Sequence, residues 1–320
     1  MKITKISEDF TPVCGGILYE LNTESESPSD LTVEIVATES EEVVATQQLW
    51  GVTESVINIA PYIARFEQMA PIANDHCSIV EAESATYYIR IGTLCSEPIT
   101  IGANREEITA PSVPTAMPLS RRIAYGECDE LPIVAEAGES IAVSISADNG
   151  ETLSLEHSAI CGVARLHLAT RNFDSGISSL VINIARDGKP FAEVLYAITP
   201  PISKGIRLAW ISESGYIERY TFPVVHKASR KVEKQCLRGA DGVLSTNILS
   251  QSILSVASRY EPRKTIEALS QILSSPKVWI EQGGKFKEVE VQNLVVEYNL
   301  FGAPSIVELE VCEWQKEATL

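Results

Sequence analysis

A chain of 320 residues with 45% apolar and 22% charged side chains has the composition of a folded protein with a sizeable core, not of a disordered one. Its net charge of −17 argues against non-specific attraction to nucleic acid or to an anionic membrane surface. No stretch approaches the roughly 18 apolar residues needed to cross a bilayer as a helix.

Residues 1–110 carry short strand patterns separated by turn signals. Leu31–Ala37 alternates apolar and polar residues, and Val43–Trp50, Ser55–Ile59 and Thr86–Ile91 follow. Asn22–Asp30 and Ala73–His76 are rich in Ser, Pro, Asn and Asp and are expected to be loops. Strands at this spacing predict a β-sandwich-like domain over 1–110. Residues 111–118, with three prolines between 111 and 118, predict an extended linker.

Residues 119–225 predict a second β-sandwich-like domain. Gly138-Glu139, Asn149-Gly150 and Asp187-Gly188 are hairpin-type turns between Ser140–Ser146, Val163–Ala169, Leu180–Ala185 and Phe191–Ala197. A hairpin over Arg207–Phe222, with Trp210, Tyr220 and Phe222 as its bulk around Ser212-Glu213-Ser214-Gly215, is expected to close this region. The basic segment His226–Arg238 then reads as a solvated loop or a contact surface. In 226–320, Pro262–Ser274 predicts one helix, since Ile266, Leu269, Ile272 and Leu273 share a face and Pro262 suits the first turn. Val278–Glu281 and Phe286–Val291 flank a Gly283-Gly284 turn, and Leu294–Tyr298 and Ile306–Val311 continue as strands. The fold class expected is therefore mainly β: two β-sandwich-like modules followed by a small α+β module with one helix on an antiparallel sheet.

Charge is uneven along the chain. Residues 1–117 hold 18 acidic and five basic residues, whereas 204–238 holds eight Lys and Arg against three Glu. That polarity favours head-to-tail contacts between copies. Seven scattered cysteines (14, 77, 95, 128, 161, 236, 312) with no Cys-x-x-Cys pair suit free thiols in a reducing compartment. Lys2 and Lys5 lack the apolar run of a signal peptide behind them, so the expected location is the cytoplasm on synthesis and a particle once assembled.

Candidate chemistry is sparse. His76, His157, His167 and His226 lie far apart, and none sits in metal-ligand spacing with a second His or Cys pair. Asp174-Ser175-Gly176 is turn chemistry, not a Gly-x-Ser-x-Gly elbow. Asp129-Glu130 and Glu106-Glu107 are sequence neighbours whose side chains would point apart on a strand. Gly15-Gly16 and Gly283-Gly284 lack a phosphate-loop context, and Asp148-Asn149-Gly150 lacks the closing Glu of a calcium loop. No catalytic, cofactor-binding or metal-ligating residue is assigned. Candidate interaction residues are Trp210, Tyr216, Arg219 and Tyr220 on the hairpin, and Lys227, Arg230, Lys231 and Lys234 in the basic segment.

The hairpin pattern Leu208-x-Trp210 with Gly215-x-Ile217-x-x-Tyr220-Thr221-Phe222 resembles one in tail and other virion structural proteins of phages and prophages of Bacteroidetes. Leu269–Pro276, Val278-Trp279-Ile280, the Gly-Gly turn, Phe286–Val291 and the last strand Ile306–Trp314 are similar too, as is Arg121–Leu131 at the start of the middle region. The likeness spans 120–314, and it departs at Ile211–Gly215, where that family has Asn-x-Tyr/Phe-Gly. It implies a non-catalytic structural component of a tail or baseplate, acting through subunit assembly with protein partners (itself or other particle subunits); the charge and hydropathy above argue against nucleic-acid and membrane partners, the aromatics leave carbohydrate open, and no motif calls for a cofactor. An alternative from the residues is a carbohydrate- or surface-binding adhesin, which requires Trp210, Tyr216, Tyr87 or Tyr88 on an exposed face. A hydrolase with a site assembled from distant residues is the remaining alternative.

Overall fold

The computed structural model describes residues 1–9, 16–63, 70–81, 85–101, 112–134, 138–158, 163–239, 242–297 and 304–316; for 233–239, 242–249 and 314–316 it describes the backbone alone. The protein is mainly β, as its alternating patterns predict.

The N-terminal part contains β1 (Lys2–Lys5), β2 (Leu18–Asn22), β3 (Ser29–Ala37), β4 (Val43–Val52), β5 (Glu54–Asn58), the short helix α1 (Ala60–Ile63), β6 (Ser78–Glu81), β7 (Ala85–Ile91), β8 (Leu94–Cys95) and β9 (Ile99–Ile101). One sheet has the order β1-β2-β5 and a second the order β4-β3-β7-β8, with β9 also on β7. Tyr19, Leu21, Val33, Ile35, Ile57 and Ile89 point into the core between them. Period-two alternation makes each sheet one-sided, so the pair buries two apolar faces against each other.

A second sandwich follows the same rule. It comprises β10 (Ser120–Ala124), β11 (Cys128–Val134), β12 (Ile141–Ala147), β13 (Thr152–His157), β14 (Val163–Ala169), β15 (Ser179–Arg186) and β16 (Lys189–Thr199). The larger sheet is β10-β16-β15-β12-β13, in which only β10–β16 is parallel. The smaller is β11-β14-β6. Ile141, Val143 and Ile145 of β12 face Leu131, Ile133, Leu166 and Leu168 across the core. Asp187 (φ 45°) and Gly188 (φ 76°) form the two-residue turn joining β15 to β16, as the Asp-Gly pair predicts.

The rest of the chain forms β17 (Ile206–Ile211), β18 (Ile217–Phe222), β19 (Val224–Gly239), β20 (Gly242–Ala257), helix α2 (Arg263–Ser270), β21 (Val278–Gln282), β22 (Lys285–Glu297) and β23 (Ile306–Lys316). They make one seven-stranded sheet, β18-β17-β21-β22-β23-β20-β19. Helix α2 lays Ile266 and Leu269 onto it, beside Leu208, Trp210, Val289 and Val311. This is the helix-on-sheet module expected from Pro262–Ser274, one turn shorter at its end.

Three features differ from the sequence expectation. Strand β6 lies within 1–110 but pairs with β14 of the second sandwich. The Trp210 hairpin belongs to the seven-stranded sheet and does not close the 119–225 region. The basic segment is not a loop: it is β19, the first arm of a hairpin with two strands of 16 residues. By backbone contacts the chain forms two compact units, Met1–Thr115 with Leu119–Thr199 and Ile211–Glu218, and Ala116–Pro118 with Pro200–Trp210 and Arg219–Leu320. Both sandwiches thus share one unit.

Candidate interaction surfaces

The hairpin aromatics are core residues. Trp210 is completely buried among Leu208, Phe222, Ile266 and Val278. Tyr220 meets Phe222 edge-on, ring centroids 5.0 Å apart, and is half-buried. Its hydroxyl donates to Glu261 Oε1 at 3.0 Å and accepts from the Arg259 N–H at 3.2 Å. Burial first, and then the Glu261 charge, push this phenol well above the usual tyrosine range. Arg219 is buried with its guanidinium 4.8 Å from the Phe286 ring centre. Tyr216 is buried with Val134 and Val163. Its carbonyl accepts from Ser212 N at 2.8 Å, and Gly215 at φ 81° makes the turn between them.

Four of the eight expected interaction residues are therefore corrected. Trp210 is buried because β17 is covered on both faces, Tyr216 in the turn is buried against Val134 and Val163, and on β18 Arg219 is buried over Phe286 and Tyr220 half-buried against Phe222. A strand buried on both sides carries bulk on both sides, and its aromatics are not on display. Tyr87 is buried as well, and Tyr88 is half-buried with its hydroxyl donating to Glu41 Oε2 at 2.7 Å. The sugar-stacking face expected of these residues is not formed by them. Among the described residues of the first sandwich, Trp50 is the large aromatic on display, 72% exposed.

The basic residues lie on a strand and not on the expected loop. Lys227, Arg230 and Lys231 are exposed along β19, and Arg230 Nη2 also donates to Ser250 Oγ at 3.3 Å. Lys234 lies on the same strand, but its side chain is outside the described residues. β23 accompanies β20 from Ala257, opposite Glu308, as far as Leu249, opposite Lys316. Beyond that point, among the described residues, the hairpin from Glu233 to Leu249 is a two-stranded ribbon with no third strand. Seven described residues in one arm, Glu233–Gly239, and eight in the other, Gly242–Leu249, at ~3.3 Å each make it roughly 25 Å long.

A cleft of about 490 Å³ lies beside helix α2, lined by Ile272, Leu273, Val289, Val291 and Cys312, with Lys277, Glu288 and Glu290 at its rim. Charged groups that sequence reasoning did not connect form two buried clusters. Arg121 Nη1 lies 3.3 Å from Asp129 Oδ2 and 3.7 Å from Glu218 Oε2. Tyr196 donates to Asp129 Oδ2 at 2.8 Å, and Thr115 Oγ1 donates to Glu218 at 2.8 Å. On the other face of β11, Arg165 Nη1 is 3.2 Å from Glu130 Oε2 and donates to the Ala70 carbonyl at 3.0 Å. The Ile72 N–H donates to Glu130 Oε1 at 2.8 Å.

The histidines remain separate. His76 is exposed, His157 is 3.5 Å from Glu81, His226 is 3.6 Å from Glu308, and His167 is buried with Nε2 3.1 Å from the Asn74 carbonyl. Asp174 Oδ1 accepts from Gly176 N at 2.8 Å, the turn that Asp-Ser-Gly predicts. Of the described cysteines, Cys77 and Cys312 are buried, Cys128 is half-buried and Cys95 is exposed, all as free thiols. Among the described residues, no group of three or more His, Cys, Asp and Glu is placed to hold a metal, and no helix is long and apolar enough to cross a membrane.

No protein-family model matches the chain, and no curated protein matches it. Among solved structures, a chicken TCR is similar at 11% identity, covering 65% of this chain and 89% of that one, with a TM-score of 0.21. A likeness at that score carries no argument about this chain.

Proposed function

We propose that this chain is a non-catalytic structural subunit of a phage- or prophage-derived particle, in its tail or baseplate, and that it works by assembling with protein neighbours. The observation that carries this reading is the ribbon Glu233–Leu249. A two-stranded ribbon buries little on its own and is marginally stable in water, so a surface that covers it contributes much of its order. The exposed cations Lys227, Arg230 and Lys231 at its base supply steering toward an acidic neighbour. The resemblance of 207–222 and 269–314 to virion proteins supports the same role.

The test is the solution mass of the purified chain over a concentration series, by light scattering after size exclusion. A discrete ring-sized species, or open-ended growth lost in high salt, is the expected result. A strict monomer at every concentration and ionic strength removes self-assembly as the mechanism.

A further inference from the structure

We propose that the open edge of β22 receives the β19 edge of a second copy of this chain, so that successive copies join their seven-stranded sheets head to tail. This rests on the assembly reading above and names the two edges that would meet.

The two halves of β22 have different neighbours. Lys285–Val289 pairs with β21, from Gln282 back to Val278. From Glu290 onward the pairing is with β23, Glu290 opposite Cys312 and Glu297 opposite Ile306. On the β21 side the chain enters the sheet at Val278 straight after Pro276, so among the described residues no strand runs beside 291–297. The cleft of about 490 Å³ opens at this step, and apolar Leu273 on its wall is 52% exposed. An added strand would continue the line of β21, pair with β22 and cover that wall.

The acceptor edge carries a negative charge at each end, because Glu290 at the step and Glu297 at the far end are both exposed. The donor edge is basic and of matching length. β19 is the last strand of the sheet, and Val224–Val232 are exposed throughout, with Lys227, Arg230 and Lys231 among them. Opposite charges across an antiparallel pair stabilise it and reject like-charged alternatives. The other long sheet edge, β4 at Val43–Val52, contains no charged residue and offers those cations nothing. Within one chain β23 and β20 separate β22 from β19, so the two edges cannot meet each other. The contact is consequently between copies, and because it joins two different patches it is heterologous and propagates.

The test uses the full chain and reads solution mass by light scattering. Glu290→Lys with Glu297→Lys, and separately Lys227→Glu with Lys231→Glu, are each expected to raise the concentration needed for assembly at least tenfold. An equimolar mixture of the two variants should assemble again, since each then supplies the edge the other lacks. The milder Glu290→Gln with Glu297→Gln should weaken assembly in the same direction with an unchanged melting temperature, which separates the effect from misfolding. If the wild type assembles and the variants assemble equally well, or if the mixture does not recover, the edge pairing is wrong and the assembly reading stands. If the wild type is monomeric throughout, the pairing and self-assembly fall together.

Discussion

Asp129 and Glu130 are consecutive residues of β11, yet each is buried against a different arginine on an opposite face of the strand. Asp129 reaches Arg121 and Tyr196, and Glu130 reaches Arg165. Strand geometry turns successive side chains to opposite faces, so the acidic pair is divided between two environments instead of forming a paired-carboxylate site. Arg121 also faces Glu218, which makes one guanidinium the counter-charge of two buried carboxylates.

Arg121→Met should therefore leave Asp129 and Glu218 buried without that cation. Loss of one partner from a buried ion pair costs about 3–5 kcal/mol, and a denaturant titration of the full chain should show that shift in midpoint. Arg165→Met should show a loss of the same sign through Glu130. A change under about 1 kcal/mol for Arg121→Met would mean that water reaches the cluster.

Trp210 and Trp50 should separate cleanly. Trp210→Ala empties a fully buried site and should cost about 3–5 kcal/mol. Trp50→Ala, on the exposed face, should stay within roughly 0.5 kcal/mol and should lower the iodide-quenchable fluorescence, whereas Trp210→Ala should leave that fraction unchanged. Quenching undiminished in the Trp50 variant would contradict its exposure.

Alkaline pH should destabilise the fold through its buried phenols. Burial pushes Tyr19 up to about 12 and holds Tyr196 and Tyr220 well above the usual tyrosine range too. An unfolded tyrosine ionises near pH 10, so above that pH the unfolded state has lost protons that the folded state keeps. The stabilisation is complete below about pH 10 and is lost as the pH rises toward the folded values. Absorbance at the tyrosinate band should show these three of the ten tyrosines titrating only as the chain unfolds. Their ionisation with native circular dichroism intact would contradict their burial.

The ribbon should be dispensable for folding. Lys234 and Ile248 face each other in register, so replacing residues 235–247 by Asn-Gly would close the hairpin with a two-residue turn. The melting temperature should move by a few degrees at most, because no third strand is removed. Assembly should fall sharply, as seen by light scattering, and an unchanged particle mass would remove the ribbon from the interface.

Much of the fold is legible in local pattern. Strands β3, β4, β5, β7, β12, β14, β15 and β16, the Asp187-Gly188 and Gly283-Gly284 turns and the face of helix α2 follow from apolar patterning, turn chemistry and helical spacing, which act over a few residues, whereas short strands such as β1, β2, β6 and β13 carry too little pattern to be read. Which strands pair, and which faces are covered, depend on residues far apart in sequence and were decided only by the tertiary structure. Strand β6 joins β14 across more than eighty residues, and Arg121 meets Glu218 across nearly a hundred. The same distinction governs the interaction residues. Strand character around Trp210 is written in its neighbours, whereas its burial depends on α2, β18 and β21 packing over it. Lys227, Arg230 and Lys231 are exposed because β19 ends a sheet, and an end of a sheet exists only once the other six strands have found their order.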